Sequence, residues 1–232
     1  MLETNLFGQK RLKMVELLER QGLIKTLKVK NAMMKVPREK FVWRGMEHLS
    51  YYDSPQSLGN TDQTISAPHM IAIMLEEMNL KPGLKILEVG SGSGYNAALM
   101  AEIIGTLSTN EEKKGQIISI ERMNDLVKFA SENIDQTKYS DRVFIFKGDG
   151  TLGYPEKSCE EIYDRIIVTA AAPHIPKYLL KQLKKGGLLL IPVGQPFIQS
   201  LLKILKDSNG KLITKNICDC MFVPLFGEDG YS

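Results

Sequence analysis

The chain has 232 residues, 43% hydrophobic and 25% charged, which is ordinary usage for one globular domain and excludes a disordered chain. No apolar run approaches the roughly 18 residues of a membrane-spanning helix, the N-terminal MLETNLFGQKRLKM lacks the features of a secretory signal, and three cysteines (Cys159, Cys218, Cys220) are too few for a disulfide scaffold, so a reducing, cytoplasmic setting is expected. Net charge is +3, with eleven Lys/Arg against five Asp/Glu in residues 1–50. The basic residues there alternate with apolar ones, as on solvated amphipathic helices, and no nucleic-acid partner is expected.

The first sixty-odd residues read as short helices and loops. Met14, Leu17 and Leu18, with Leu12 and Val15, form an apolar stripe at helical spacing. Gly22 ends that helix, Thr26 caps a second one running through Met34, and Pro37 stops it. Residues 53–70, DSPQSLGNTDQTISAPHM, read as a long loop ending in a helix start, with Ser66 as N-cap and Pro68 in the first turn. From Lys85 onward β-rich runs alternate with helical patterns: KILEVG at 85–90, QIISIE at 116–121, RVFIFKGD at 142–149, DRIIVTA at 164–170 and GLLLIPVG at 187–194, separated by helices near 94–104, 123–134 and 176–185. Nearly continuous apolar strands joined by helical crossovers predict an α/β fold with a doubly wound, mostly parallel sheet. After Gly194, SLLKILKD and ITKNICDCMFVPL flank the turn signal Asp207-Ser-Asn-Gly210 and predict a C-terminal antiparallel hairpin. The expected organisation is one domain over 1–232: an N-terminal helical cap and loop (1–65), an α/β core (66–195) and the hairpin (196–232).

Glu88-Val-Gly-Ser-Gly-Ser-Gly94 follows a strand and opens a helix. Glycines there permit a strained turn and let a ligand approach the backbone, whose amides favour electronegative groups. Gly90, Gly92 and Gly94 are spaced G-x-G-x-G, not the G-x-G-x-x-G of dinucleotide folds. This favours S-adenosylmethionine, which has no pyrophosphate to seat. An acid ending the next strand would take ribose hydroxyls; Glu121, followed by Arg122, is placed there, and the polar insertion STNEEKKGQ at 108–116 accounts for its distance from the glycines. Asp149, between Gly148 and Gly150 at the third strand's end, can accept a hydrogen bond from an adenine amino group. These features share the C-terminal edge of the sheet, where open α/β sheets bind ligands.

VPREKFV (36–42), YYDSPQSLG (51–59), QTISAPHM (63–70), LEVGSGSGY (87–95), GDGTLGYP (148–155), YDRIIVTAAAP (163–173), LLKQLKKGGLLLIPVG (179–194) and FVPL (222–225) together resemble the protein-L-isoaspartate (D-aspartate) O-methyltransferase family over essentially the whole chain. The resemblance implies a Rossmann-like, class I S-adenosylmethionine-dependent methyltransferase. It implies Ser66 as the active-site serine, with Gln63, Thr64 and Ile65 covering the cofactor's reactive end. Gly90, Ser91, Gly92 and Ser93 would line the methionine portion, Glu121 would bind the ribose and Asp149 with Gly150 the adenine, with Ser66, Glu88 and Arg122 also among the cofactor-binding residues.

The implied reaction methylates the free carboxylate of L-isoaspartyl or D-aspartyl residues in age-damaged proteins, leaving S-adenosyl-L-homocysteine. Carboxylates are ionised at pH 7, so no general base is needed; three histidines with no triad and no metal-ligand cluster agree with that. Val223, Pro224 and Leu225, expected at the sheet edge, would pair with the substrate backbone. A nucleic-acid methyltransferase is disfavoured because residues 170–174 read Ala-Ala-Ala-Pro-His, not an (Asp/Asn)-Pro-Pro-aromatic motif, and no cysteine follows a proline. Cys218 and Cys220, two apart on one strand, read as packed residues, since two thiolates do not close a zinc site.

Overall fold

The computed structural model describes residues 2–105, 115–157 and 160–232, with side chains from Leu6 onward. Cys159 and most of the insertion expected at 108–116 lie outside them. Helix α1 (Leu2–Arg20) buries Met14, Val15 and Leu18 but turns Leu12 and Leu17 outward. Gly22, at φ +70°, ends its final turn. Helix α2 (Leu27–Lys35) stops before Val36-Pro37, as expected. Thr26 precedes α2 without capping it: its hydroxyl donates to Glu76 Oε1, which also accepts the Lys25 and Thr26 amides. A carboxylate brought from fifty residues away outcompetes the local cap.

Two short strands, β1 (Gln56–Ser57) and β2 (Thr64–Ile65), pair antiparallel and lead into α3 (Pro68–Glu77). The core alternates β3 (Lys85–Val89), α4 (Tyr95–Ile104), β4 (Gln116–Glu121), α5 (Asn124–Gln136), β5 (Val143–Lys147), β6 (Tyr163–Val168), α6 (Lys177–Gln182) and β7 (Leu183–Gln195). Helix α6 is shorter than expected because Leu183 already pairs with Tyr163; the register then slips before Leu188 meets Arg165. Strands β8 (Ile198–Lys206) and β9 (Leu212–Cys220) complete the order β5-β4-β3-β6-β7-β8-β9, with β3 to β7 parallel and β8 and β9 antiparallel. Asp207 builds the predicted β8–β9 turn, accepting the Asn209 and Lys211 amides on Oδ1.

Period-two alternation splits the apolar side chains between two sheet faces. Ile86, Ile117, Ile167, Leu188 and Leu190 pack beneath residues of α1–α5, while Leu87, Ile120, Ile166, Leu189 and Ile191 pack toward Leu179, Leu183 and Leu225. Each such side chain, once fully buried, stabilises the fold by roughly 1.5–3 kcal/mol. Glu88 and Ser119 are register partners across β3 and β4, so two polar side chains lie side by side within the first face. Cys218 and Cys220 are half-buried free thiols on β9, and no cluster of metal-ligating side chains occurs among the described residues.

Candidate active site

Parallel strands put the ends of β3, β4, β5 and β6 at one edge, and the loops leaving them surround two adjoining clefts. One, of about 60 Å3, is lined by Gln63, Thr64 and Ile65, by Gly90 to Ser93, and by Glu121, Thr169 and Val223. Its neighbour, of about 50 Å3, shares Gln63, Gly90, Glu121 and Ala170 and adds Arg122, Met123, Gly148, Gly150, Pro224, Leu225 and Phe226. A larger hollow of about 350 Å3 lies between Phe7, Arg44, Phe129 and Gln136. It meets the glycine loop only through Asn133, which donates to Ser93 O at 2.9 Å, and no residue of the loop or of the strand ends lines it, so the chemistry belongs to the smaller pair.

The glycine loop folds as it does for two separate reasons. Gly90, at φ +96°, leaves no room for a side chain: a Cβ would fall 2.4 Å from Thr169 Oγ1, which donates to the Gly90 carbonyl at 2.7 Å. Gly92, at φ +54°, faces open space instead, where a Cβ would meet only Leu58 Cδ1 at 3.5 Å and would fill the cleft. Glu121 is buried at the tip of β4. Its Oε1 accepts the Arg122 and Met123 amides at 2.9 and 3.0 Å, and its Oε2 accepts Gly92 N–H at 3.1 Å. A carboxylate has about four acceptor positions, so Oε2 keeps one for a ligand hydroxyl. Together the Gly92 hollow, the Glu121 acceptor and the apolar walls of Met123, Leu225 and Phe226 suit S-adenosylmethionine.

Three expected residues behave differently. Glu88 is fully buried below the loop and lines neither cleft; its carboxylate accepts Asn96 Nδ2–H at 2.8 Å and the Ser119 hydroxyl, which also bonds Ser91 Oγ at 2.6 Å. Burial pushes its pKa up from 4.5 to about 7; the Ser119 and Asn96 hydrogen bonds hold it down and the Glu121 charge adds to the rise. Glu88 therefore supports the loop from beneath. Asp149 lies at the rim with three acceptor positions taken: Oδ1 accepts the Thr151 amide and hydroxyl at 2.9 and 2.6 Å, and Oδ2 accepts Glu228 N–H at 2.7 Å and keeps one position, as Glu121 Oε2 does. It ties down the C-terminal turn, while Gly150 beside it lines the second cleft.

Ser66 does not cap α3. The N-cap position is Ala67, and the helix start is closed by Asp53 Oδ1, which accepts His69 N–H at 2.9 Å. The half-buried Ser66 hydroxyl makes no hydrogen bond among the described residues; Ser66 itself lines neither cleft and follows Ile65, which lines the first. The expected sheet-edge position of Val223–Leu225 is corrected too. The hairpin takes the edge, and the chain returns to the sheet interior just past β6, where Val223 O accepts Ala171 N–H at 2.8 Å and Leu225 N–H donates to Ala171 O at 2.7 Å. The next residue on the opposite side is Pro224, which has no N–H, so a full strand cannot be added there.

Reading the sequence assigned no role to Phe226, whose ring packs 4.9 Å from the Arg122 guanidinium, to Asp53, or to Arg38. Phe226 adjoins the FVPL motif and Arg38 lies inside VPREKFV; nothing local marked what either touches.

This strand order, with a glycine loop after its first central strand and an acid ending the next, defines a class I S-adenosylmethionine-dependent methyltransferase fold. The protein-L-isoaspartate (D-aspartate) O-methyltransferase family profile matches residues 9–230, and the chain belongs to that family. A protein-L-isoaspartate O-methyltransferase of Hyperthermus butylicus is 48% identical over 97% of this chain and 92% of its own length, and one of Staphylothermus marinus is 47% identical over 97% of both. Among solved structures, a Plasmodium falciparum protein described as a protein-L-isoaspartate O-methyltransferase, in complex with S-adenosyl-L-homocysteine, superposes with a TM-score of 0.80 at 34% identity, covering 92% of this chain and 97% of its own.

Proposed function

We infer that the chain transfers the methyl group of S-adenosyl-L-methionine to the free carboxylate of L-isoaspartyl residues, or to the side chain of D-aspartyl residues, in damaged proteins and peptides, and so initiates their repair. The observation that carries this reading is that Gln63–Ile65, from the segment most specific to the family, lines the same cleft as Gly92 and Glu121. Its three cysteines are consistent with a cytoplasmic enzyme.

Bound in the paired clefts, S-adenosylmethionine supplies an electrophilic methyl group on a sulfonium. Gly90 to Ser93 receive its amino-acid end on exposed backbone, and Glu121 Oε2 accepts from the ribose. Gly150, Met123 and Phe226 flank the ring. The acceptor carboxylate, with a solution pKa near 4, is already the nucleophile at pH 7, so the protein has only to hold it in line. The Ser66 hydroxyl donates to one carboxylate oxygen and leaves the other facing the methyl group. Gln63, Thr64 and Ile65 exclude water above it. Val223 contributes an apolar wall and Pro224 a carbonyl for a substrate amide. A substrate defined by a backbone defect in unrelated sequences calls for this kind of main-chain recognition.

The test is methyl transfer to two synthetic peptides identical except for one linkage, normal aspartyl in one and isoaspartyl in the other. Transfer to the isoaspartyl peptide alone is the expected result. Equal transfer, or none with the cofactor bound, would overturn the assignment of the acceptor.

A further inference from the structure

Arg38 has no solvent exposure. It opens a short 3-10 turn (Arg38–Lys40) after α2. Its Nε donates to Ser50 O at 2.8 Å, its Nη2 donates to Ser66 O at 2.8 Å, and the guanidinium lies 5.0 Å from the Tyr95 ring centroid. Nη1 and the Tyr95 hydroxyl are buried and make no well-formed hydrogen bond among the described residues, though the guanidinium and the hydroxyl are close enough to interact. Among the described residues no carboxylate hydrogen-bonds to Arg38. Asp53 is near enough for its charge to be felt, but its Oδ1 holds the His69 amide and ring. Burial lowers the Arg38 pKa, yet a guanidinium stays cationic at neutral pH.

A buried arginine resting on carbonyls can be purely structural, and Arg165 is: its Nε, Nη1 and Nη2 all donate, to the carbonyls of Met78, Asp164 and Asn79. Arg38 differs in two respects. Its Nη1 makes no well-formed hydrogen bond, and one of its carbonyl partners belongs to Ser66. A buried cation that no carboxylate contacts directly is costly, and here it sits under the residue that would meet an anionic acceptor.

We propose that Arg38 is the positioning residue of the methyl-acceptor site: it fixes the Ser66 backbone, and its charge, which no carboxylate contacts directly, selects an acceptor that is an anion. The inference rests on the proposed function above. Covalent geometry keeps a serine Oγ within about 4 Å of its own carbonyl oxygen, so a carboxylate bound to Ser66 Oγ sits about 8 Å from the guanidinium. Unit charges at that separation and an effective dielectric of about 20 favour the anion over a neutral isostere by about 30-fold.

The experiment titrates an isoaspartyl peptide and its isoasparaginyl twin, a neutral amide of the same shape, onto protein saturated with S-adenosyl-L-homocysteine. The wild type is expected to prefer the carboxylate by about 30-fold. Arg38→Met should reduce that preference to within about threefold, Arg38→Lys should retain most of it, and Ser66→Ala should keep it because charge, not the hydroxyl, sets it. S-adenosyl-L-homocysteine affinity and Tm, measured on each variant, register any loss that is only structural. A preference unchanged in Arg38→Met would overturn the proposal. If that variant does not fold, a wild type that binds both peptides equally would overturn it, and a wild-type preference shared by Arg38→Lys would uphold it. A wild type that fails to methylate the isoaspartyl peptide would instead overturn the assigned function.

Discussion

Replacing Glu88 with glutamine should remove a pH-dependent weakness in the core. In the unfolded chain this carboxyl titrates near 4.5; in the folded protein burial moves it to about 7. Between those values the folded state keeps a proton that the unfolded state has released, so stability falls as pH rises through that window and stays at the lower level above about 7. A gap of 2.5 pH units corresponds to about 3 kcal/mol, and for a chain of this length that is about 6–12 °C in Tm. Glutamine at 88 is neutral throughout. Its amide can donate to Ser119 Oγ and its carbonyl can accept from Asn96, keeping the Ser91–Ser119 link beneath the glycine loop. Thermal unfolding of the ligand-free wild type and Glu88→Gln at pH 5 and pH 8.5 tests this. About 2.5 kcal/mol of the effect falls between these two pH values, so the Tm difference, variant minus wild type, should be about 5–10 °C more positive at the higher pH. Every other titratable group is common to both proteins and cancels in the difference. A Tm difference constant to about 2 °C would mean that Glu88 is not buried as a proton-holding acid, because each degree here reports only a few tenths of a kcal/mol.

The other residues give sharper local expectations. Ser66→Ala should lower kcat about 100-fold, the scale of one lost donor to a reacting group, while leaving S-adenosyl-L-homocysteine affinity and Tm nearly unchanged; a large fall in Tm would restore Ser66 to a capping role. Asp53→Ala, by contrast, removes the α3 cap and should cost about 1 kcal/mol, read as a Tm shift of about 2–4 °C; no shift would show the Asp53–His69 contact to be idle. Glu121→Ala should weaken S-adenosyl-L-homocysteine binding about 100-fold by calorimetry, the loss expected for charge-assisted hydrogen bonds, and unchanged binding would remove it from the ribose site. Asp149→Ala should speed amide exchange across residues 225–231 by about tenfold or more, since charged hydrogen bonds to Thr151 and Glu228 are lost; unchanged exchange would show that the C-terminal turn is held elsewhere.

What the sequence made legible was what short stretches determine for themselves. Five apolar strands, the Asp207–Gly210 turn, the glycine loop and Glu121 each depend on neighbours within a few positions, and the parallel topology follows from their alternation with helices. The failures share one cause, which is competition from a partner distant in sequence. Thr26 and Ser66 both look like N-caps, because capping is a local rule, yet Glu76 takes the first from fifty positions away and Asp53 takes over the second's task. Asp149 takes on a task that no local rule announces, holding Glu228 seventy-nine positions on, while its Oδ2 keeps an acceptor position. Glu88 looks like part of the glycine fingerprint, but its register with Ser119 sends it inward.

Arg38 extends the same point toward function. Nothing in VPREKFV shows that its arginine will end beneath Ser66, twenty-eight positions away, because that meeting needs the 3-10 turn after α2, the β1–β2 pair and the packing of Tyr95 all in place. A serine hydroxyl alone distinguishes an anionic acceptor from a neutral one only weakly, since it can donate to an amide oxygen as well as to a carboxylate. A charge fixed below it discriminates by sign. If the site selects carboxylates, that selectivity arises from a residue that never needs to touch the substrate, at a position the fold alone creates.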